Sequence, residues 1–397
     1  MKTNHKNILF KGVIVSFFIV PILLVPFAST ATAQQIKVTV QQNQPIQGEE
    51  PQTVADKYVP EPKNVTVTTW VDSLTVPWSL RFLPNGDALV AQRTGAIVRI
   101  PKGSSEQVPF LKIPNVVVEG DVGLMGMALH PDFSDHPYIY VMYTYRKGKN
   151  KLVNRVARYY SKGDTATFDR IIFDNIPAAP IHVGGRIAFG PDGMLYIGTG
   201  SRHNPLSAQD MNSLAGKILR VTPNGNIPKD NPFGNSPIYS LGHRVVEGIT
   251  WDPKTGEMFN ADIGPNARDE INHVHKGSND GWPIVVGAPG ISQFEDPIVM
   301  WKNATVPPAG MTFYHGDLYV ATLKSQALVR IVFGKNYKVK KIERWFALTP
   351  TRGLYGRLRE VREGPDGNLY VCTTNTDGRA MLRPGDDKIL KLEFHNK

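Results

Sequence analysis

Residues 181–200 read IHVGGRIAFGPDGMLYIGTG and join two apolar runs through a Pro-Asp-Gly turn. Such a turn between two strand-forming runs predicts a β-hairpin. His182 stands at the mouth of this hairpin, beside a Gly-Gly pair whose missing side chains allow a close approach of backbone or ligand. Taken alone, a histidine at such a position is more often structural than catalytic.

The same hairpin pattern occurs six times between residue 65 and the end of the chain. Its turns lie near Pro84, Pro131, Pro191, Pro253, Tyr314 and Pro365, at intervals of 47 to 62 residues. A four-stranded propeller blade needs about 40 to 50 residues, and loop insertions lengthen it. We therefore predict an all-β fold, a six-bladed β-propeller over residues 65–397, in which residues 388–394 pair with residues 65–70 to close the ring.

The N-terminal 64 residues are expected to lie outside the propeller. Residues 1–33 resemble a signal peptide, because three lysines precede an uncharged run over residues 12–28 and Ala31-Thr32-Ala33 offers a cleavage site. An uncleaved membrane anchor over residues 12–28 is the alternative, and both predict an extracytoplasmic location (secreted, periplasmic or pseudoperiplasmic). Residues 34–64, rich in Gln, Pro and Glu up to about Pro62, are predicted to be a flexible, disordered linker.

Composition narrows the classes of partner. The net charge of +10 is spread along the chain, which disfavours a nucleic-acid partner and leaves an anionic ligand or surface as the better expectation. Cys372 is the only cysteine, so no intrachain disulfide can form, and we expect this residue to be buried in a strand.

Several basic residues flank the later hairpins. They are Arg244 before the fourth hairpin, Lys324 after the fifth, and Arg357 and Arg359 at the start of the sixth. Period-two spacing places Arg357 and Arg359 on one face of a strand. Each cation alone is most simply a solvated charge, but together at corresponding blade ends they suit a multiply anionic ligand.

Residues 264–272, read GPNARDEIN, form a further candidate site. Their carbonyl and carboxylate oxygens suit a hard cation such as Ca²⁺, although the spacing is not that of an EF-hand. A turn capped by an aspartate is the simpler interpretation.

Taken together, these motifs resemble the soluble pyrroloquinoline quinone-dependent sugar dehydrogenases, the glucose/sorbosone dehydrogenase family. The resemblance runs from about residue 74 to 394 and is carried by GLMGMALHPDF (123–133), His182-x-Gly-Gly-Arg186, GKILRV (216–221), IPKDNP (227–232), Gly242-His243-Arg244, Gly264-Pro265, DEIN (269–272), Gly281-Trp282-Pro283 and Arg357-x-Arg359.

The resemblance implies a six-bladed propeller that oxidises an aldose at its anomeric carbon to the lactone, with the quinone held through Ca²⁺. By position, His182 matches the general base. Arg244, Lys324, Arg357 and Arg359 match the cofactor-binding cations, and the carbonyls of Gly264 and Pro265 match the calcium ligands. Asp121 and Arg244 are the expected substrate contacts, and the electron acceptor is unknown.

The chain departs from the family pattern at four positions. Val245 replaces an asparagine that hydrogen-bonds the cofactor, and Ile263 replaces Gln or His. Asp121 stands where the family has a glutamine that touches substrate, and Ile181 where an acid sometimes precedes the histidine. Two alternatives therefore stay open: a propeller that serves as an extracellular binding module, and a Ca²⁺-dependent propeller hydrolase such as a lactonase.

Overall fold

The computed structural model describes residues 44–202 and 204–395, and six four-stranded antiparallel blades account for most of them. The predicted all-β, six-bladed propeller is confirmed. The predicted leader over residues 1–33 lies outside the described residues, as does the part of the predicted linker before residue 44. No helix among the described residues is long and apolar enough to cross a membrane.

The strands are numbered in chain order. Three precede the first complete blade: β1 (Ile46–Gln47), β2 (Asp56–Val59) and β3 (Val65–Val71). Blades 1 and 2 contain β4 (Pro77–Phe82), β5 (Ala88–Gln92), β6 (Ala96–Ile100), β7 (Val108–Lys112), β8 (Leu124–Leu129), β9 (Tyr138–Lys147), β10 (Lys151–Lys162) and β11 (Thr165–Pro177).

Blade 3 contains β12 (Gly184–Phe189), β13 (Leu195–Thr199), β14 (Lys217–Val221) and β15 (Ile238–Leu241). Blade 4 contains β16 (Val246–Trp251), β17 (Met258–Asp262) and β18 (Asp269–Val274), then, after the short β19 (Val285–Val286), its outer strand β20 (Val299–Trp301). Blade 5 contains β21 (Pro308–Tyr314), β22 (Asp317–Thr322), β23 (Leu328–Phe333) and β24 (Val339–Trp345).

The remaining strands are the small hairpin of β25 (Ala347–Thr349) and β26 (Arg352–Gly353), followed by β27 (Leu358–Glu363), β28 (Leu369–Thr373) and β29 (Ile389–Phe394) of blade 6. Three short 3₁₀ helices span Pro205–Ala208, Lys335–Tyr337 and Asn375–Asp377.

The first strand of each predicted hairpin is the innermost strand of a blade. β4, β8, β12, β16, β21 and β27 each contact the first strands of the two neighbouring blades, and the contact between β27 and β4 completes the ring. Because these six strands surround the channel, the residues just before them lie around one end of it.

The ring closes through a sheet built from both ends of the propeller. β29 pairs antiparallel with β3, with Phe394 opposite Val65 and Leu392 opposite Val67. This is the predicted pairing, and it leaves blade 6 with four strands drawn from distant parts of the sequence. This pairing stabilises the fold because β3, the outer strand of blade 6, ties the beginning of the propeller to its end.

Apolar packing between blades supplies the core. Six clusters of buried side chains lie one at each blade interface. The cluster between blades 6 and 1, for example, joins Leu80 and Val90 to Ile389 and Cys372. Cys372 is fully buried in β28, as the sequence predicted.

Residues 44–64 differ from the predicted flexible linker. β1 pairs in parallel with β19, and β2 pairs in parallel with β24, the outer strand of blade 5. The carboxylate of Asp56 forms an ion pair with Arg344 and accepts a hydrogen bond of 3.0 Å from the indole of Trp301. The linker prediction is therefore wrong for residues 44–64, because low apolar content does not prevent a segment from pairing with a sheet edge that the propeller already supplies.

Candidate active site

His182 lies two residues before β12, at the mouth of the blade 3 hairpin. Its backbone is left-handed, with φ of +59°. Gly184 follows, with φ of +67°, at a point where the chain passes close to blade 4. A Cβ atom at this position would lie only 2.9 Å from the carbonyl oxygen of Val246. The Gly-Gly pair thus lets β12 enter the ring tightly, which holds His182 at the end of the channel.

A cavity of about 370 Å³ occupies this end of the channel. It is lined by residues of five blades and the loops between them: Asp121, Ile181, His182, Val245, Glu247, Ile263, Pro307, Leu323, Lys324, Arg357, Arg359 and Arg379. Its size is within the range of small-molecule sites, about 300 to 1,000 Å³.

The structure brings most of the predicted site residues together here. His182, Asp121, Lys324, Arg357 and Arg359 all line the cavity. Arg244 lies beside it, with Nη2 3.2 Å from Nε2 of His182 and Nη1 donating a 2.8 Å hydrogen bond to the carbonyl of Ile263. Its guanidinium also lies 5.5 Å from the ring centre of Trp282.

Three of the cations around the cavity are paired with carboxylates. Arg357 contacts Asp377 at 2.9 Å, and Arg359 contacts Glu247 at 2.6 Å. Asp121 is paired with Arg379 at 2.6 Å, so this predicted substrate contact is held by a cation at the rim.

Lys324 differs from these arginines. It is exposed, and within the described part of the chain its side chain forms no hydrogen bond or ion pair. It therefore offers a cation without an internal counter-charge.

Burial shifts the pKa values of the basic and acidic groups of the site in opposite directions. It lowers the pKa of Arg244 and of Arg357, and it raises the pKa of the Glu247 carboxyl, which is 6% exposed. Each shift follows from the loss of water around an ionised group. A bound anion would restore part of that lost stabilisation for the arginines.

Gly264 and Pro265 line a narrow cleft next to the cavity, together with Arg244, Asp262 and Glu270. The Asp269 carboxylate accepts hydrogen bonds from the backbone N–H of Gly264 at 3.2 Å and of Val306 at 2.7 Å. Burial raises the pKa of Asp269 to about 7. The turn capped by an aspartate is thus present.

The two carbonyls at this turn are not equivalent. That of Pro265 accepts the N–H of Arg268 at 3.1 Å. That of Gly264 accepts no hydrogen bond from any residue in 44–202 or 204–395. An oxygen of this kind can serve as a ligand to a hard cation.

Comparison with known proteins agrees with this geometry. The model of the glucose/sorbosone dehydrogenase family matches residues 74–383. The chain is 31% identical to aldose sugar dehydrogenase YliI of Escherichia coli over 351 residues, which is 81% of this chain and 93% of that protein.

Two solved structures are also similar. One is a putative oxidoreductase (glucose dehydrogenase) from Thermus thermophilus, with 43% identity and a TM-score of 0.77 over 83% of this chain and 100% of that one. The other is the PQQ-bound form of aldose sugar dehydrogenase from Streptomyces coelicolor, with 37% identity and a TM-score of 0.76 over 84% and 99%.

The chain belongs to the glucose/sorbosone dehydrogenase family. It is accordingly an oxidoreductase of the sugar dehydrogenase type.

The cavity of this family member fits a planar polyanion such as the quinone. Its cationic side chains outnumber its carboxylates, and Nε of Arg359 is buried without a hydrogen-bond partner among the described residues. The apolar side chains of Ile181, Val245 and Ile263 line the cavity, and such walls suit the faces of a flat ring system. Charge and shape therefore both agree with the cofactor class that the resemblance implied.

Two charged residues of the cavity were not predicted as site residues. Glu247 had been noted only as part of an altered motif, although its carboxylate lies in the cavity wall. Arg379 follows the 3₁₀ helix Asn375–Asp377 in a loop without periodic pattern, so no local signal pointed to it. Their positions depend on contacts between distant segments.

Arg186, the arginine of the His-x-Gly-Gly-Arg motif, has a structural role in this protein. It is fully buried, donates to Glu360 at 2.5 Å and to the carbonyl of Glu247 at 2.8 Å, and lies 4.4 Å from the ring centre of Trp78. It therefore joins blades 1, 3, 4 and 6 around the channel.

Proposed function

We propose that this protein oxidises aldose-type sugars at C1 to the lactone, with pyrroloquinoline quinone and Ca²⁺ as cofactors and His182 as the general base. The observation that carries this proposal is the meeting of His182, Lys324, Arg357 and Arg359 in one cavity at the end of the propeller channel. A base beside several cations suits an alcohol oxidation in which an anionic acceptor is held next to the reacting carbon.

The contact with Arg244 supports His182 as the base. An arginine is always protonated and can only donate, so at 3.2 Å the Nε2 atom of His182 presents its lone pair. A lone pair at this atom is what a base needs to take the proton of the C1 hydroxyl. As the sugar enters, its hydroxyl replaces or shares this contact, and Arg244 then lies beside the substrate oxygen.

The exposed Lys324 and the two buried arginines are proposed to bind the cofactor in different ways. Lys324 is exposed and has no counter-charge within the described part of the chain, so it suits a carboxylate of the quinone at the mouth of the cavity. Arg357 and Arg359 are buried in the cavity wall and are paired with Asp377 and Glu247. When bound, the quinone supplies the hydride acceptor and Ca²⁺ a Lewis acid that polarises it.

The carbonyls of Gly264 and Pro265 are the proposed protein ligands of Ca²⁺. Their turn is fixed by Asp269, which holds the N–H of Gly264 at 3.2 Å. The turn therefore presents oxygens in a preset arrangement, which lowers the entropy lost when a cation binds.

Val245 and Ile263 are expected to weaken cofactor binding without abolishing it. Each replaces a polar partner, and a lost hydrogen bond typically costs about 0.5 to 1.5 kcal/mol. Two such losses lower the affinity for the quinone by a factor of roughly 10 to 100.

Reconstitution tests the proposal. Purified protein is given pyrroloquinoline quinone and Ca²⁺, the absorbance spectrum is recorded, and reduction of an artificial electron acceptor is followed with a panel of aldoses. We expect quinone binding and turnover with at least one aldose. Tight quinone binding without turnover on any sugar would contradict the substrate, and no quinone binding at micromolar concentration would contradict the proposed function as a whole and favour a binding module.

Export of the protein belongs to the same proposal. The N-terminal pattern over residues 1–33 predicts a signal peptide or an anchor over residues 12–28. N-terminal sequencing of protein recovered from the cell exterior and from membranes distinguishes the two.

A further inference from the structure

Two histidines and a glutamate lie together on blade 4, far from the candidate active site. They are Glu257, His273 and His275, and each offers one ligand atom within 4.8 Å of the others. Among the described residues, no other set of three or more His, Cys, Asp or Glu side chains meets this distance. Nothing in the proposed oxidation uses these residues.

The strand register explains why the three side chains meet. In the antiparallel pair of β17 and β18, Met258 lies opposite Val274 and Phe259 opposite His273. Extending that register by one residue puts Glu257 opposite His275. Because side chains alternate along a strand, His273 and His275 lie on the same face, and Glu257 shares that face.

Contacts around the cluster hold it in place. Nε2 of His273 lies 2.8 Å from Oε2 of Glu257, and its ring stacks on that of Phe259 with centroids 4.9 Å apart. The rings of His273 and His275 are 4.3 Å apart. Nδ1 of His275 lies 3.9 Å from a carboxylate oxygen of Glu295, which places a second acid behind this ring.

Glu295 adds a second carboxylate near the cluster, and carboxylates beside metal-binding histidines commonly help to orient their rings. Lys276, which follows His275 in the chain, lies 3.7 Å from the carboxylate of Asp230. The carboxylates of Glu257 and Glu295 lie beside the two imidazoles, and this arrangement of charge suits a bound cation.

The cluster lies at the end of blade 4 opposite the cavity. Asp262, the last residue of β17, accepts the backbone N–H of Arg244 beside the cavity, whereas Glu257 precedes the first residue of that strand. Five residues of extended chain separate them by roughly 16 Å. The cluster instead adjoins a groove of about 250 Å³ that the turn residues Pro191 and Asp192 also line.

We propose that Glu257, His273 and His275 form a binding site for a divalent transition-metal ion of the Zn²⁺ type. Two imidazoles and one carboxylate are the donors that Zn²⁺ takes in open sites, with a fourth position left for water or a groove-bound ligand. Ca²⁺ prefers six to eight oxygen ligands and does not suit this set. The bound ion bridges β17 and β18 and stabilises the outer end of blade 4.

The test uses the full chain without a polyhistidine tag, with Zn²⁺ alone as the probe. Isothermal titration calorimetry and metal analysis after dialysis are expected to give one Zn²⁺ per chain at micromolar affinity, with a rise in Tm. Excess Ca²⁺ should neither compete for the site nor produce that rise through it. The comparison with Ca²⁺ separates this site from the proposed cofactor calcium.

His275→Gln is the decisive variant because His275 is half exposed, so its loss should not disturb folding. We expect it, and Glu257→Gln, to weaken Zn²⁺ binding by about tenfold or more. His136→Gln is the matched control, since His136 also faces a second histidine, His130, at a ring distance of 5.0 Å. It should bind Zn²⁺ as the wild type does.

Failure of the wild type to bind Zn²⁺ at micromolar concentration would overturn the proposal. Equal affinity and stoichiometry in the wild type and in His275→Gln would overturn it as well, since the ion would then be bound elsewhere. Neither outcome depends on whether the protein oxidises sugars.

Discussion

Oε2 of Glu247 lies 2.6 Å from Nη1 of Arg359, in the wall of the cavity that also contains His182. Both side chains are buried, and Nε of the same arginine has no partner in residues 44–202 or 204–395. One of the cations expected to hold an anionic cofactor is thus shared with a carboxylate of the protein. The acid lies within the altered segment Val245-Val246-Glu247 that separates this chain from the usual family pattern.

Replacing Glu247 by Gln should strengthen quinone binding. The change removes a negative charge from the cavity wall and leaves the guanidinium of Arg359 free to pair with a cofactor carboxylate. We expect a gain in affinity of roughly tenfold, about 1.4 kcal/mol, measured by absorbance titration with the quinone. Glu119→Gln, an exposed acid paired with Arg146, is the control and should leave the affinity unchanged. Weaker binding by Glu247→Gln would mean that the carboxylate is needed to orient Arg359.

Replacing His182 by Asn should abolish most of the turnover while preserving the quinone affinity. Asn tolerates the left-handed backbone at this position, where φ is +59°, but cannot act as a base. We expect kcat to fall by about 10² to 10⁴. His315→Asn is the matched control. His315 also has a left-handed backbone, with φ of +50°, but it lies in the exposed turn of blade 5. Near-normal kcat in His182→Asn would exclude this residue as the base.

Glu360→Gln should destabilise the propeller and flatten its acid response. Arg186, Arg81 and Arg362 surround this buried carboxylate, and although burial alone would raise its pKa, the guanidinium groups lower it from 4.5 to about 2. Its stabilising contribution is thus complete above the unfolded pKa of 4.5 and is lost as the pH falls to about 2.

Urea unfolding at neutral pH should show a loss of about 3 to 5 kcal/mol in Glu360→Gln, since buried arginines lose their counter-charge. The difference from the wild type should shrink in acid between these two pKa values. Glu363→Gln, an exposed acid on the same strand, should unfold like the wild type. A difference that stayed constant with pH would show that the charge of Glu360 is not what stabilises the channel.

Asp56→Ala should loosen the N-terminal segment of residues 44–64 from blade 5. The change leaves Arg344, which is 2% exposed, without its carboxylate and removes the acceptor of the Trp301 indole. We expect the free energy of unfolding to fall by about 3 kcal/mol. Asp135→Ala, at an exposed turn, is the control. Unchanged stability together with unchanged protease sensitivity near residue 56 would contradict a bound segment.

The sequence was informative wherever a local pattern repeats. The hairpin at residues 181–200 and its five relatives predicted six blades, and the terminal runs predicted the pairing of β29 with β3. Arg357 and Arg359, which period-two spacing predicted to share one face of a strand, both line the cavity, although Arg357 lies just before β27. His273 and His275 show the same spacing in the sequence, but the glutamate that completes their cluster becomes visible only when β17 and β18 are paired.

The sequence by itself determined the number of blades, the closure of the ring, the family and five of the twelve residues that line the cavity, because each depends on short-range patterns or on motifs in order. Only the tertiary structure decided how those residues are paired. Arg359 with Glu247, Asp121 with Arg379 and Asp56 with Arg344 are contacts between segments far apart in the chain. Such pairings depend on how neighbouring blades and loops meet, and no periodicity along one strand encodes them.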